Sequence, residues 1–349
     1  MQKIAKFLNI WMFFLPAVVF LTFYNSWIAL CIGAINPALA IDFIKNRAEN
    51  QSEIISVASP FENFTLESEK ITATGTSENL AYHPMYNIYE EFFASTTSDI
   101  VLKKDACYVK NLTHHTADEV KSLMLSPISF TVEKNSSQPQ ILIYHTHATE
   151  SYTPTASEEY SASYSWRSTD NSQNMTAVGK VMADTLNSLG YNTIQDTTLH
   201  DYPSYNGSYD LSEETVKKYL KKYPSIKIVL DVHRDAVERD GRIINPVITS
   251  NGHKYAQIMI ISGCDNGYMG MPNYPENLKF ATNLQNQLAK DTPGLVRPVL
   301  FDYRNYNQQL STGSILVEIG THGSTLQQAK NSRQVFATSL ANMLDNTRL

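Results

Sequence analysis

From residue 140 of this 349-residue chain onward, short apolar runs alternate with longer stretches whose apolar positions recur every three or four residues. The runs are "ILIY" (141–144), "YNTIQD" (191–196), "IKIVLDV" (226–232), "YAQIMIIS" (255–262) and "SILVEIG" (314–320). Most are short and nearly unbroken, as expected of strands buried on both faces of a sheet. Between them, Met175, Val178, Met182, Leu186 and Leu189 fall at helical spacing and stop at Gly190. "DLSEETVKKYLKKY" (210–223) predicts a helix with Ser212 as N-cap and Glu213 and Glu214 in its first turn. "PENLKFATNLQNQLAK" (275–290) places Pro275 in a first turn, and "TLQQAKNSRQVFATSLANMLDN" (325–346) closes the chain. This alternation predicts an α/β fold: a mostly parallel central sheet with helices on both faces, some strands running antiparallel where connections are long.

The pattern upstream is different. Residues 10–35 are an apolar run without a single charge, preceded by Lys3 and Lys6. About 20 apolar residues suffice to cross a bilayer as a helix, and the basic flank keeps the N-terminus inside. The expectation is an N-terminal membrane anchor over 1–40 with the rest of the chain outside the cytoplasm. "PALA" (37–40) offers a signal-peptide cleavage site instead, but the apolar run exceeds the roughly 7–15 residues usual for a signal peptide. Residues 41 to 80 are rich in Ser, Thr, Glu and Asn and read as a stalk. In 81–138, "YHPMYNIYEEFF" and "TADEVKSLMLS" suggest one or two short helices, either a small subdomain or part of the main one. "EKNSSQPQ" (133–140) is a turn-rich hinge. The expected organisation is therefore 1–40 anchor, 41–137 stalk and N-terminal region, 138–349 catalytic domain.

Charge narrows the partners. Lys and Arg number 28 against 34 Asp and Glu, a net charge of −6, and no basic run marks a nucleic-acid footprint. The 20 tyrosines, many in polar loops, suit a surface that handles carbohydrate or peptide. The cysteines are Cys31, Cys107 and Cys264, with no CxxC spacing. Cys107 and Cys264 read as inert thiols more readily than as a disulfide.

The chemistry gathers at strand ends, where open α/β sheets place their clefts. "ILIY" runs into His145, His147 and Glu150; "IKIVLDV" into His233, Arg234 and Asp235; "SILVEIGTH" carries Glu318 and His322. If these ends converge, two histidines and a glutamate have the composition of a catalytic zinc site with one position left open. His147-x-x-Glu150 would supply two ligands and His233 the third. Glu318 would be general base, since a carboxylate in an apolar strand is costly unless it is paired or metal-linked. His145 and His147 would share a side if the strand continued through both. The three-residue spacing to Glu150 selects His147, leaving His145 to face substrate or support the ligands.

These blocks, together with "ILIYHTHATESYTP", "HDYPSYNGSYDLS", "IVLDVHRDA", "NYPENLKFA" and "YNQQLSTGSILVEIGTHGSTLQQA", resemble the stage II sporulation protein P family over about residues 138–345. Residues 41–130 match weakly. The resemblance implies a membrane-anchored zinc N-acetylmuramoyl-L-alanine amidase acting on septal peptidoglycan during engulfment. Cleavage of stem peptides, as by a zinc endopeptidase or carboxypeptidase, is the alternative. It implies a domain similar in plan to the zinc cell-wall amidases, with His147, Glu150 and His233 on Zn2+ and Glu318 assisting. It also implies the stage II sporulation D lytic transglycosylase and the stage II sporulation M membrane protein as partners. Arg297, Asn307 and Arg234, in matching blocks, are candidates for holding substrate.

Overall fold

The structure is a computed structural model that describes residues 85–347, apart from 158 and 162. The expected anchor (1–40) and the expected stalk (41–80) lie outside the described residues. Among the described residues, no helix is long and apolar enough to cross a membrane.

In chain order the elements are β1 (Met85–Glu91), β2 (Val101–Lys104), β3 (Cys107–Asn111), α1 (Ala117–Leu123), β4 (Ile141–Tyr144), β5 (Glu159–Ser161), α2 (Met175–Ser188), β6 (Thr193–Gln195), α3 (Ser208–Lys222), β7 (Ile228–Asp235), β8 (Glu238–Arg239), β9 (Arg242–Ser250), β10 (His253–Ala256), β11 (Ile258–Gly263), α4 (Tyr274–Asp291), β12 (Val299–Asp302), a 3-10 turn (Gln308–Leu310), β13 (Gly313–Thr321) and α5 (Leu326–Asn346). Eight strands form a sheet in the order β2-β3-β12-β11-β13-β7-β4-β6. Its pairings are parallel except β2–β3 and β11–β13, so the expected mostly parallel α/β sheet is what forms. A smaller sheet, β10-β9-β1-β5 with β8 beside β9, has no counterpart in the expectation.

Several local expectations change. Residues 85–93 do not make a helix: Met85–Glu91 is β1, paired in parallel with β9. Residues 85–137 thus join both sheets, with β3 on β12, rather than standing apart. "YAQIMIIS" is split at Gln257, whose side chain bonds Phe93 and Gly294, so one apolar run serves two sheets. Ser212 is no cap: α3 begins at Ser208, and Ser212 lies buried within it. Helix α5 starts as expected at Thr325, which exchanges side-chain and backbone hydrogen bonds with Gln328. Cys107 and Cys264 are both free and buried.

Alternation along the strands sorts side chains onto two unlike faces. Ile143 of β4, Leu230 and Val232 of β7, and Ile315, Val317 and Ile319 of β13 pack in one apolar layer with Met182 of α2, Leu284 of α4 and Phe336 of α5. The opposite face is only partly roofed. Leu142, Tyr144 and Val229 meet Val216 of α3, while Ile261, Leu300 and Leu316 meet Tyr306 from the loop after β12. One step further toward the carboxyl ends of β7 and β13 the row turns polar, with His233 buried and Glu318 half-buried. There His233, Glu318 and Met259 are register partners across three adjacent strands.

Candidate functional site

Strand β7 runs to Asp235, three residues past the expected end, so His233 belongs to the sheet. Asp231 and His233 therefore share the open face with Glu318, their neighbour on β13. Just after Glu318 the register shifts, with Gly320 at φ +66° in the kink. A Cβ at Gly320 would fall 2.5 Å from Ser324 Oγ and 2.8 Å from the Ala256 Cβ, so that position needs glycine.

Strand β4 stops at Tyr144, and the turn that follows separates the two histidines of His-Thr-His. Thr146 fixes the turn on Asp231: its N–H donates to Oδ1 at 2.9 Å and its hydroxyl to Oδ2 at 2.7 Å. His145 stays with the helix-covered side. Its Nδ1 donates to the Val232 carbonyl at 2.8 Å, its Nε2 accepts from Gln195, and the ring abuts Gly179 of α2. Burial pushes it down to about 4. The premise that both histidines face one side thus fails, because the strand ends before either.

His147 turns to the open face. Its ring is 5.3 Å from that of His233, edge to face, and stacked on Tyr205 at 4.4 Å. Ser208 Oγ lies 3.4 Å from its Nδ1 and Asp201 Oδ2 3.9 Å away, which leaves Nε2 the nitrogen to offer. Burial depresses it to about 4, so its lone pair is available at neutral pH. Glu150 comes round in the same turn, its N–H bonding the His147 carbonyl at 3.1 Å. Glu150 Oε2 accepts from the Arg234 N–H at 3.2 Å and lies 3.5 Å from His233 Nδ1. Burial alone would raise the Glu150 carboxyl, but Arg234 and His233 outweigh it and hold it well below the carboxylate range.

His233 sits between two carboxylates, with Nε2 2.8 Å from Asp231 Oδ1 and Nδ1 near Glu150. Burial disfavours its charge, yet Asp231 and Glu150 prevail and lift its pKa well above the histidine range. The cluster thus recruits a cation from within the chain itself. Glu318 is half-buried, with Oε2 sealed from solvent and without a hydrogen-bond partner. Its carboxyl is raised to about 8, first by loss of water and then by Asp235, against the pull of His233 and Arg297.

The remaining candidates divide. Arg297 stands beside Glu318, paired with Asp235 at 2.8 Å, its Nε buried and unpartnered. Arg234 is committed to the carbonyls of Ser151 and Trp166, and Asn307 to Tyr209 and Ser212. These last two brace the site from behind. Sequence reasoning passed over Asp201, which bonds Thr149 and Arg167, and Met259, which ends the open row. For Asp201 the signal was a carboxylate within the "HDYP" block; for Met259, one more apolar residue in an apolar run, there was none.

Two imidazoles and a carboxylate, with Asp231 on the other nitrogen of one imidazole, are a donor set suited to zinc. Among the described residues no three such side chains stand already closed around a metal position, so the fit is one of chemistry rather than preformed geometry.

The chain is 28% identical over 214 residues to stage II sporulation protein P of Bacillus subtilis (strain 168), a match covering 58% of this chain and 50% of that protein. The chain thus spans about half the length of that curated relative. Among solved structures, the N-acetylmuramoyl-L-alanine amidase AmiC2 of Nostoc punctiforme is similar with a TM-score of 0.36 at 16% identity, over 60% of this chain and 97% of that one. The CwlD amidase of Clostridioides difficile, solved in complex with the GerS lipoprotein, gives 0.34 at 13%, over 60% and 98%. Likenesses this distant decide neither fold nor activity. The stage II sporulation protein P (SpoIIP) family model matches residues 51–341, reaching well upstream of the blocks recognised in the sequence. The chain belongs to the stage II sporulation protein P family.

Proposed function

We propose that the chain is a zinc-dependent N-acetylmuramoyl-L-alanine amidase that degrades septal peptidoglycan during sporulation. The observation that carries the proposal is the convergence of His147, Glu150, His233 and Glu318 from three separate segments on one face of the large sheet. His147, Glu150 and His233 would hold the metal, which when bound supplies a water reactive at neutral pH and polarises the scissile carbonyl. Asp231, fixed by Thr146, orients His233. The Arg234 N–H holds one oxygen of Glu150 in place. Glu318 takes the proton of the attacking water and delivers it to the leaving amide nitrogen. A carboxyl raised to about 8 can both accept and return a proton near neutrality. The half-buried floor of Glu318 and Met259 keeps bulk water from one side of the reacting bond.

The test is the product spectrum of the zinc-loaded full chain on purified sacculi. Intact stem peptides free of sugar support the amidase. Shortened stems with the sugar–peptide bond intact would replace it with the peptidase reading. We further assign the chain to the outer side of the membrane at the sporulation septum, anchored by residues 1–40. The D transglycosylase and the M membrane protein of stage II sporulation would act beside it there, which co-purification from sporulating cells tests.

A further inference from the structure

Beside the catalytic row stands a feature that the steps above do not use. The Tyr209 ring meets that of His147 edge to face at 5.5 Å, and the Tyr306 ring stacks on Tyr209 at 5.3 Å and 28°. Tyr306 packs over Ile261, Leu300 and Leu316. Leu316 precedes Glu318 by two residues on the same face, about 7 Å along the strand. The two tyrosines therefore form a wall from the proposed ligand His147 to the strand that carries Glu318. Both residues are half-buried.

The backbone that presents this wall is strained. Tyr306 and Asn307 are consecutive non-glycine residues at φ 48° and 58°. A bulky side chain there is an outlier, and such conformations cost on the order of 1–3 kcal/mol each. The turn is tied down: Asn307 donates to the Tyr209 carbonyl at 2.9 Å and to Ser212 Oγ at 3.0 Å, and Asn305 donates to the Met269 carbonyl at 2.8 Å. Glycine or asparagine at 306 would hold this backbone at less cost, so the strain is offset by what the tyrosine ring touches.

We propose that Tyr209 and Tyr306 are a sugar subsite, against which a pyranose ring of the glycan strand stacks beside the row of His233 and Glu318. The assignment rests on the peptidoglycan-hydrolase reading above and names the half of the substrate this side takes. The wall's chemistry favours sugar over stem peptide. Arg304, the cation at its rim, is committed to Asp302 Oδ2 at 3.0 Å and to the Tyr306 hydroxyl at 2.8 Å, so this arginine is not held ready for a peptide carboxylate. What remains is aromatic surface with hydroxyl and amide groups at its edge. That matches a ring with C–H bonds on its face and uncharged polar groups at its rim.

The test measures binding, in a full chain carrying Glu318→Gln so that nothing turns over. The probes are glycan strands stripped of stem peptides and, separately, sugar-free stem peptides. The chain is expected to bind the stripped glycan, and adding Tyr306→Asn should weaken that affinity at least tenfold. Stem-peptide affinity of the folded variant should stay unchanged. Tyr306→Phe should keep most of the glycan affinity, and Tyr306→Gly should repeat the Asn result should that variant fold poorly. Unchanged glycan affinity in Tyr306→Asn, weakening confined to the stem peptide, or no glycan binding at all would each overturn the proposal. None of these readouts depends on which bond is cut. A peptidase product spectrum would sink the amidase reading and leave the sugar wall standing, and the reverse holds equally.

Discussion

The two faces of the large sheet are built from the same strands by opposite rules. On the helix-covered face, Ile143, Leu230, Val232, Ile315, Val317 and Ile319 alternate with the residues of the other face and vanish beneath three helices. On the opposite face the same strands supply Asp231 and His233, both buried, and Glu318, half-buried. One face gains stability by removing apolar surface from water. The other forgoes it, keeping charges half-paired where a cation and a substrate can complete them. There the Glu318 carboxyl is lifted to about 8 by loss of water and by Asp235, and His233 is raised by Asp231 and Glu150.

That contrast can be broken one face at a time. Glu318→Gln should produce the largest change in catalysis, a loss of about 10²–10⁴-fold in turnover of sacculi. It should also steady the metal-free fold. As pH rises from 4.5 toward 8, the unfolded chain releases a proton that folded Glu318 retains, so wild type loses stability across that window. The variant should melt above wild type at pH 8 and level with it at pH 4; a lower melt at pH 8 would mean Glu318 is structural. Ile315→Ala, on the covered face, should do the converse. It should cost about 2–5 kcal/mol in denaturant unfolding, with turnover per folded molecule unchanged.

His145 sharpens the boundary between the faces. Its folded pKa lies below the ordinary 6.5, so the unfolded chain protonates first and stability falls as pH drops from about 6.5 toward 4. Replacing it by Gln should flatten that slope by up to about 3 kcal/mol in pH-dependent urea melts. A ligand's role for His145 would instead appear as lost metal binding. The smallest effect belongs to support: Asp231→Asn should weaken zinc affinity roughly 10–100-fold, read by competition with a chelator.

The covered face was the more legible in sequence. Unbroken apolar runs and helical spacing located β4, β6, β7, β11, β13 and four of the helices, and Thr325 announced the start of α5. The smaller sheet escaped because β1 and β9 mix tyrosine, asparagine and charge and take their strand form from pairing with each other, far apart in the chain. Ser212 misled as a cap because a serine ahead of two glutamates is a local signal, whereas its partners Thr146 and Asn307 are remote. Of the site, the residue types at the strand ends could be read directly. Which histidine of His-Thr-His turned to which face could not, since it depends on where β4 stops and on Asp231 holding Thr146.

Zinc content tests the central claim most directly. The full chain, purified with zinc and freed of excess metal, should carry one zinc per molecule by elemental analysis. Folded His147→Ala and His233→Ala should carry markedly less, and folded His145→Gln should carry as much as wild type. Full occupancy in His147→Ala, or loss in His145→Gln alone, would contradict the account.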